Sequence, residues 1–256
     1  MTTRPELMNL AQLAHELAVE WNVELGPVYP HARHSYVAPA GDEAVIKLVP
    51  RDDDESKEEA LALELWAGEG AVRLLRHDTA RRALLLERLR PGTDLGKLPD
   101  ERSTEIAVEV GLQLWRPAGT PFRWIGDHVP RWLDEAELVA GTGFGLIPLA
   151  RELYASLEIG CSTLVHGDFH HHNVLSTGGR YVAIDPKPML GEPEYDVPSF
   201  LWNPLSYRME RDVTTRRLSA FAAAGLDEKR MRAWAVIRGA YLRTDENEIE
   251  ILRALV

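Results

Sequence analysis

The sequence predicts an α+β protein in two unequal parts, a strand-rich first third and a larger, mainly helical remainder. Three observations predict it. Short runs of strand-forming apolar residues fall at 44–49, 72–75 and 83–86, the texture of strands with at least one buried face. The pair Pro91-Gly92 then punctuates the chain. Beyond it, apolar residues recur every three or four positions over 103–114, 146–157, 214–224 and 228–242, which is the helical period. We place the boundary near Glu87–Pro91 and expect a first lobe over 1–88 and a second over 89–256.

Each element has a local justification. Leu7, Leu10, Ala14, Leu17, Ala18 and Trp21 repeat at helical spacing, so the opening segment packs one face. After Gly26-Pro27 comes a stretch rich in strand formers and broken by turn residues. Ala44 to Val49 alternates as a strand, with Val45, Lys47 and Val49 on one face and Ile46 and Leu48 on the other. Arg51 to Leu65 reads as a charged entry into a helix carrying Leu61, Leu65 and Trp66, stopped by Gly68 and Gly70. Val72–Leu75 and Ala83–Leu86 are two further strands, and the four helical patterns complete the second part.

Composition narrows the function. At roughly 100–200 residues per domain, 256 residues make one large domain or two modest ones. With 40 acidic and 29 basic side chains the net charge is −11, which argues against nucleic acid or an anionic membrane as partner, since both require a basic face. A single cysteine, Cys161, excludes an internal disulfide framework and reads as a small buried hydrophobe. No apolar run approaches the ~20 residues that span a bilayer, and the first 20 residues read as an amphipathic helix, not a signal peptide. A cytoplasmic protein is expected.

The chemistry concentrates between Leu164 and Lys187. Val174-Leu175 and Tyr181-Val182-Ala183-Ile184 flank Ser176-Thr177-Gly178-Gly179-Arg180, a hairpin signature. An antiparallel hairpin sets the start of one strand beside the end of the other, so Asn173 and Asp185 meet at its open end. Asp168 lies five residues before Asn173 on the preceding loop. An Asn and Asp oxygen pair with a further carboxylate is equipment for holding Mg²⁺ and orienting a hydroxyl.

At this point the sequence resembles a known family. His166-Gly167-Asp168, then Asn173, then Ile184-Asp185 is similar to the catalytic and metal-binding signature of aminoglycoside phosphotransferases, small-molecule kinases that share the protein-kinase fold. The streptomycin/hydroxyurea kinase branch is closer still. Trp66 with Gly68, Gly70 and Ala71–Leu75, Leu84–Leu89 with Pro91-Gly92, Asp185-Pro186-Lys187 with Gly191-Glu192-Pro193-Glu194-Tyr195-Asp196, and Leu201-Trp202-Asn203-Pro204 all look like that branch. The resemblance spans about residues 20–205 and implies a bilobal α+β fold, with a small β-rich N-lobe and a larger helical C-lobe.

It also implies roles. Asp168 matches the carboxylate that accepts or orients the proton of the substrate hydroxyl, and Asn173 and Asp185 match the Mg²⁺ ligands. Lys47 matches the strand lysine on the ATP phosphates and Glu59 its ion-pair partner, with Glu58 the adjacent alternative register. Glu87 to Leu89 match the hinge whose backbone reads adenine. The acceptor implied is a small molecule bearing a hydroxyl, with streptomycin-like aminoglycosides leading and hydroxyurea or another metabolite following. The loop His31-Ala32-Arg33-His34-Ser35 lacks the glycines usual in a phosphate loop. Arg33 or the Ser35 hydroxyl stands in for those backbone contacts; a nucleotide-binding pseudokinase without turnover is the alternative that this loop suggests.

Other features read as structure. His166, His170, His171 and His172 lie on a short loop where consecutive side chains diverge, with no cysteine partner. A zinc hydrolase is therefore a distant third reading, and His166 is read as bracing the loop. Gly141-Thr142-Gly143-Phe144-Gly145 lacks the strand and the later acid that a dinucleotide fingerprint requires. Trp115, Trp124, Trp132 and Trp202 read as packing residues, and Asp196 as a helix cap or a brace for the catalytic loop. Residues 52–64 hold seven acids and one base, a net of −6, and residues 201–256 eight acids and ten bases, a net of +2. This places the negative charge away from an acceptor pocket expected from residues 115–150 and 200–256.

Overall fold

A four-stranded antiparallel sheet organises the first third. The computed structural model describes residues 4–30, 35–53, 55–139, 145–204 and 209–256. Helix α1 (Arg4–Trp21) precedes β1 (Tyr36–Ala40) and β2 (Ala44–Leu48); helix α2 (Glu59–Trp66) precedes β3 (Leu74–Asp78) and β4 (Ala83–Glu87). The sheet order is β1-β2-β4-β3. The period-2 alternation of β4 serves two cores at once. Ala83 and Leu85 join Ile46, Leu48, Leu17 and Trp21 under α1. Leu84 and Leu86 face the other way, toward Leu63 and Trp66 of α2. Lys47 is buried on that second side, opposite Ile46 and Leu48, as the alternation predicts.

The remainder comprises β5 (Pro91–Asp94), α3 (Asp100–Leu114), β6 (Arg116–Pro117), α4 (Ile125–Leu138), α5 (Ile147–Ser156) and β7 (Thr163–Val165). After these come β8 (Val174–Thr177), β9 (Arg180–Ala183), β10 (Met189–Gly191), α6 (Val197–Leu201), α7 (Arg211–Ala223), α8 (Glu228–Leu242) and α9 (Glu246–Arg253). Helix α8 is the axis: residues 233–240 are all buried, and α4, α5, α6, α7 and α9 pack around it. A helix buried all round belongs in a core and not on a surface. Two small sheets, β10-β7-β6 and β5-β8-β9, frame the loop between β7 and β8. The apolar core runs without a break from α2 and β4 into α3, α6 and α8, so it crosses the expected 88/89 boundary.

The structure moves several expected elements. The strand expected at 72–75 begins at Leu74, because Val72 N donates to Ala183 O (2.8 Å) and Ala183 N to Gly70 O (2.8 Å). The apolar pair Ala71-Val72 thus bridges the two parts, and the strand runs on into polar residues. The charged stretch from Arg51 leads into the helix at Glu59, as expected; within it Asp53 Oδ1 accepts from Glu55 N (2.9 Å) and Ser56 N (3.2 Å), holding a turn. Helix α4 goes unpredicted despite Ile125, Val129, Leu133 and Ala136 at helical spacing, because Gly126 and Pro130 read as breakers. Cys161 is exposed, not buried: it sits on the connection between α5 and β7, where no element covers it.

Two apolar residues of α1 test this packing. Leu17 is fully buried and Val19 is 84% exposed. Chemical denaturation of Leu17→Ala is expected to show a loss of about 3 kcal/mol, and Val19→Ala a change within about 0.5 kcal/mol.

Candidate active site

Local geometry brings distant carboxylates and one lysine together. The β8–β9 ladder pairs Val174 with Ala183 and Thr177 with Arg180, closed by Gly178-Gly179 at φ +52° and +83°. Both turn residues take the left-handed conformation that a two-residue hairpin turn of this hand requires. At the open end Ile184 N donates to Asn173 O (2.9 Å), setting Asn173 beside Asp185. Asp185 itself has φ +55°, a conformation asparagine and aspartate tolerate better than most residues and one that gathers at functional sites.

Lys47 Nζ lies 2.6 and 2.7 Å from the two oxygens of Glu59 and 2.5 Å from Asp185 Oδ1. The register is therefore Glu59; Glu58 turns to Arg123 Nε at 3.3 Å. Burial alone would depress the lysine, but Asp185 and Glu59 outweigh it and raise its pKa. Burial pushes the Glu59 carboxyl up to about 7 against the opposing pull of Lys47. The charge of Lys47 holds Asp185 down to about 2. The Asp185 side chain stays 49% exposed, one oxygen on the lysine and the other toward the cleft.

Asp168 is half-buried on the loop after β7. Asn173 Nδ2 donates to Asp168 O (2.9 Å) and lies 3.4 Å from Asp168 Oδ2, which leaves the Asn173 amide oxygen for another partner. The loop is held from behind. The fully buried Asp196 accepts from His166 N (2.8 Å), Gly167 N (2.8 Å) and Trp115 Nε1 (2.9 Å). Arg238 NH2 donates to Gly167 O (3.0 Å) and NH1 to Tyr195 O (2.9 Å). Asp196 thus braces the catalytic loop, and its side chain caps no helix.

The histidines are spent on architecture. His166 Nε2 lies 3.0 Å from Ile184 O, and its Nδ1 accepts from Asp168 N (3.3 Å). His171 stacks on Phe200 with ring centres 3.9 Å apart. Among the described residues no group of three or more His, Cys, Asp or Glu could hold a metal ion by itself. Asp185 and Asn173 nonetheless offer hard oxygen donors of the kind Mg²⁺ takes when phosphates complete its shell.

The remaining expected contacts fall unevenly. Glu87 N and Arg88 N donate to Arg73 O and Glu43 O, and the Glu87 carboxylate accepts from Arg73 N (2.9 Å). Within Glu87–Leu89 the first two N–H groups are thus paired inside the fold. Ser35 stands just before β1, where Val37 pairs with Lys47; His31–His34 and Ala140–Phe144 lie outside the described residues.

A cavity of about 450 Å³ opens beside Asp168, lined among others by Trp132, Glu135, Arg123, Lys187, Arg238 and Tyr241. Residues 115–150 and 200–256 do contribute, as expected. Two expectations change. Trp132 faces the cavity and meets Tyr241 at a tilt of 37° with ring centres 5.4 Å apart, so it is not only packing. Glu55, from the acidic stretch expected to lie away from the acceptor pocket, also reaches the cavity. Its lining carries Glu55, Glu135 and Asp168 against Arg123, Lys187 and Arg238. These residues come from four separate stretches; only the i, i+3 pairs Trp132/Glu135 and Arg238/Tyr241 left a trace in the sequence.

Comparison with known proteins is consistent with this geometry. Residues 28–243 match the family described as aminoglycoside/hydroxyurea antibiotic resistance kinase. The chain is 33% identical to hydroxyurea phosphotransferase of Kitasatospora aureofaciens, over 92% of this chain and 74% of that protein. It is 31% identical to streptomycin 6-kinase of Streptomyces glaucescens, over 88% of this chain and 79% of that protein. A thermostable aminoglycoside phosphotransferase variant in ternary complex with ADP and hygromycin B superposes with a TM-score of 0.62, covering 94% of this chain and 96% of that one at 16% identity.

Two predictions follow from the loop. Asp196→Asn leaves one of two backbone N–H groups facing an amide NH₂, and should lower stability by about 3 kcal/mol in urea unfolding and abolish turnover. Burial also lowers the pKa of three loop histidines from 6.5: His166, His170 to about 4 and His171 to about 2. Below the unfolded value of 6.5 only the unfolded chain takes up these protons, so stability is lost as pH falls. Glu59, raised to about 7, acts in the opposite sense over 4.5 to 7. Three histidines stand against one glutamate, so the net effect is a loss of stability as pH falls below 6.5. Urea midpoints at pH 7, 6 and 5, without divalent cations, should fall in that order, and His171→Asn should make the fall shallower.

Proposed function

The chain belongs to the aminoglycoside/hydroxyurea antibiotic resistance kinases and is a small-molecule phosphotransferase of protein-kinase-like fold; we propose that it uses ATP and Mg²⁺ to phosphorylate a hydroxyl of a small acceptor. The observation that carries this reading is the convergence of Lys47, Glu59 and Asp185 at one edge of a cleft whose other edge is Asp168, Asn173 and the cavity.

Phosphoryl transfer is a problem of positioning and of neutralising charge. Lys47, aligned by Glu59, offers an ammonium to the nucleotide phosphates. Asn173 and Asp185 would hold Mg²⁺, which supplies charge neutralisation between the phosphates when bound. Leu89 reads the base from the hinge, and the Ser35 hydroxyl, at the head of β1, contacts the phosphates. Asp168 accepts the proton of the acceptor hydroxyl; the Asn173 amide, donating to the Asp168 carbonyl, keeps the carboxylate aimed at the cavity. Such an enzyme works in the cytoplasm, where its nucleotide is.

For the acceptor, a streptomycin-type aminoglycoside leads. Glu55 and Glu135 beside the aromatic faces of Trp132 and Tyr241 suit a guanidinium or ammonium group. A specific observation favours a second acceptor: the cavity lining is balanced in charge, which suits a small neutral molecule such as hydroxyurea, the substrate named for one relative.

The test is an ATP-consumption panel over streptomycin, other aminoglycosides and hydroxyurea, with Asp168→Ala alongside. The variant should bind ATP as the parent does and lose transfer by at least about 100-fold. Transfer within tenfold of the parent would remove Asp168 from its role, and a parent inert toward every acceptor, with no ATP hydrolysis, would return the pseudokinase reading.

A further inference from the structure

One cation in the cavity has no task in the mechanism above. The Lys187 ammonium lies 2.9 Å from Glu55 Oε2 and 3.9 Å from Asp168 Oδ2, with its side chain 38% exposed. Its backbone is locked to the catalytic loop. Lys187 N donates to His166 O (2.8 Å). A Cβ on Gly167, which has φ +83°, would sit 2.0 Å from Lys187 O. No side chain fits between the two segments, so the residue before Asp168 must be glycine, and the root of Lys187 cannot drift from the carboxylate.

Neighbouring cations are already committed. Lys47 is shared by Glu59 and Asp185. Arg238 is buried on the carbonyls of Gly167 and Tyr195. Arg123 bonds the Glu55 carbonyl (2.7 Å) and faces Glu58. Lys187 differs, because its close partner Glu55 is a loop carboxylate 53% exposed. An ion pair of that exposure is worth about 0–1 kcal/mol, so a more strongly charged anion displaces it readily.

We propose that Lys187 is a catalytic residue: its ammonium exchanges Glu55 for the non-bridging oxygens of the phosphoryl group in flight toward the acceptor held at Asp168. The proposal rests on the kinase reading. In the step, the bond from the γ-phosphorus to the bridging oxygen breaks and its electron pair leaves with ADP. The bond from phosphorus to the acceptor oxygen forms, and the hydroxyl proton passes to Asp168. Lys187 donates hydrogen bonds and gives up no proton. Glu55 is its resting partner, which keeps the ammonium beside the cavity while no phosphate is there.

The competing account is that Lys187 only balances Asp168. ADP with Mg²⁺ and aluminium fluoride separates the two, because tetrafluoroaluminate mimics the planar phosphoryl group and the complex needs no identified acceptor. The parent should bind ADP more tightly when aluminium fluoride is added. Lys187→Met and Lys187→Gln should bind ADP alone within about threefold of the parent, lose the added tightening, and hydrolyse ATP about 100-fold more slowly. Lys187→Arg should keep most of the tightening. Neutral variants that keep both the tightening and hydrolysis within fivefold of the parent overturn the role of Lys187 and leave the kinase reading standing. A parent that neither binds ADP nor hydrolyses ATP overturns both.

Discussion

The backbone of His166 and Gly167 is where the molecule is pinned. Its surroundings are apolar and dry, so each polar atom there needs a partner or costs several kcal/mol. A buried carboxylate and a buried guanidinium supply them from opposite sides: Asp196 takes the N–H groups of His166 and Gly167, and Arg238 takes the Gly167 carbonyl. The same Asp196 also holds Trp115 at the end of α3, while Arg238 lies over the Tyr195 ring, 4.3 Å from its centre. One short stretch of backbone thus ties α3, α8 and the segment before α6 together. The orientation of Asp168, one residue later, is inherited from that joint.

Charge is handled by the same logic on the nucleotide side. A lone buried lysine would be deprotonated; Glu59 and the half-exposed Asp185 together keep the charge on Lys47. The cavity beside it carries three acids, Glu55, Glu135 and Asp168, and three bases, Arg123, Lys187 and Arg238, in its lining. Such a lining recognises an acceptor by the placement of charges and not by their sum, and this is why the net charge of the whole chain carries no information about the substrate.

What the sequence disclosed follows from how local each signal is. The β8–β9 hairpin, with Asn173 and Asp185 at its open end, was legible because the Gly178-Gly179 turn and two apolar runs suffice to specify it. The alternation around Lys47 was legible for the same reason. Glu59 and Glu58 could not be told apart by pattern, since adjacent helical residues diverge by about 100° and only the position of Lys47 selects one. The shift of β3 was hidden because Val72 bonds to Ala183, more than a hundred residues away. The cavity was the least legible part: Glu55, Trp132, Lys187 and Arg238 are unremarkable singly and acquire meaning by convergence. Lys187 stood within a recognised motif, yet nothing in that motif says that its ammonium reaches Asp168.

The double allegiance of β4 has a consequence for biogenesis. Its Leu84 and Leu86, with Leu63 and Trp66 of α2, belong to an apolar core that extends as far as α8 and α9. The Trp66 indole N–H finds its acceptor, the Leu114 carbonyl, only after α3 exists. During synthesis the ribosome therefore delivers a sheet with one face finished, under α1, and the other bare. The nucleotide half must wait, half-wrapped, for the last helices before it can close, which makes it a natural client for a chaperone until then.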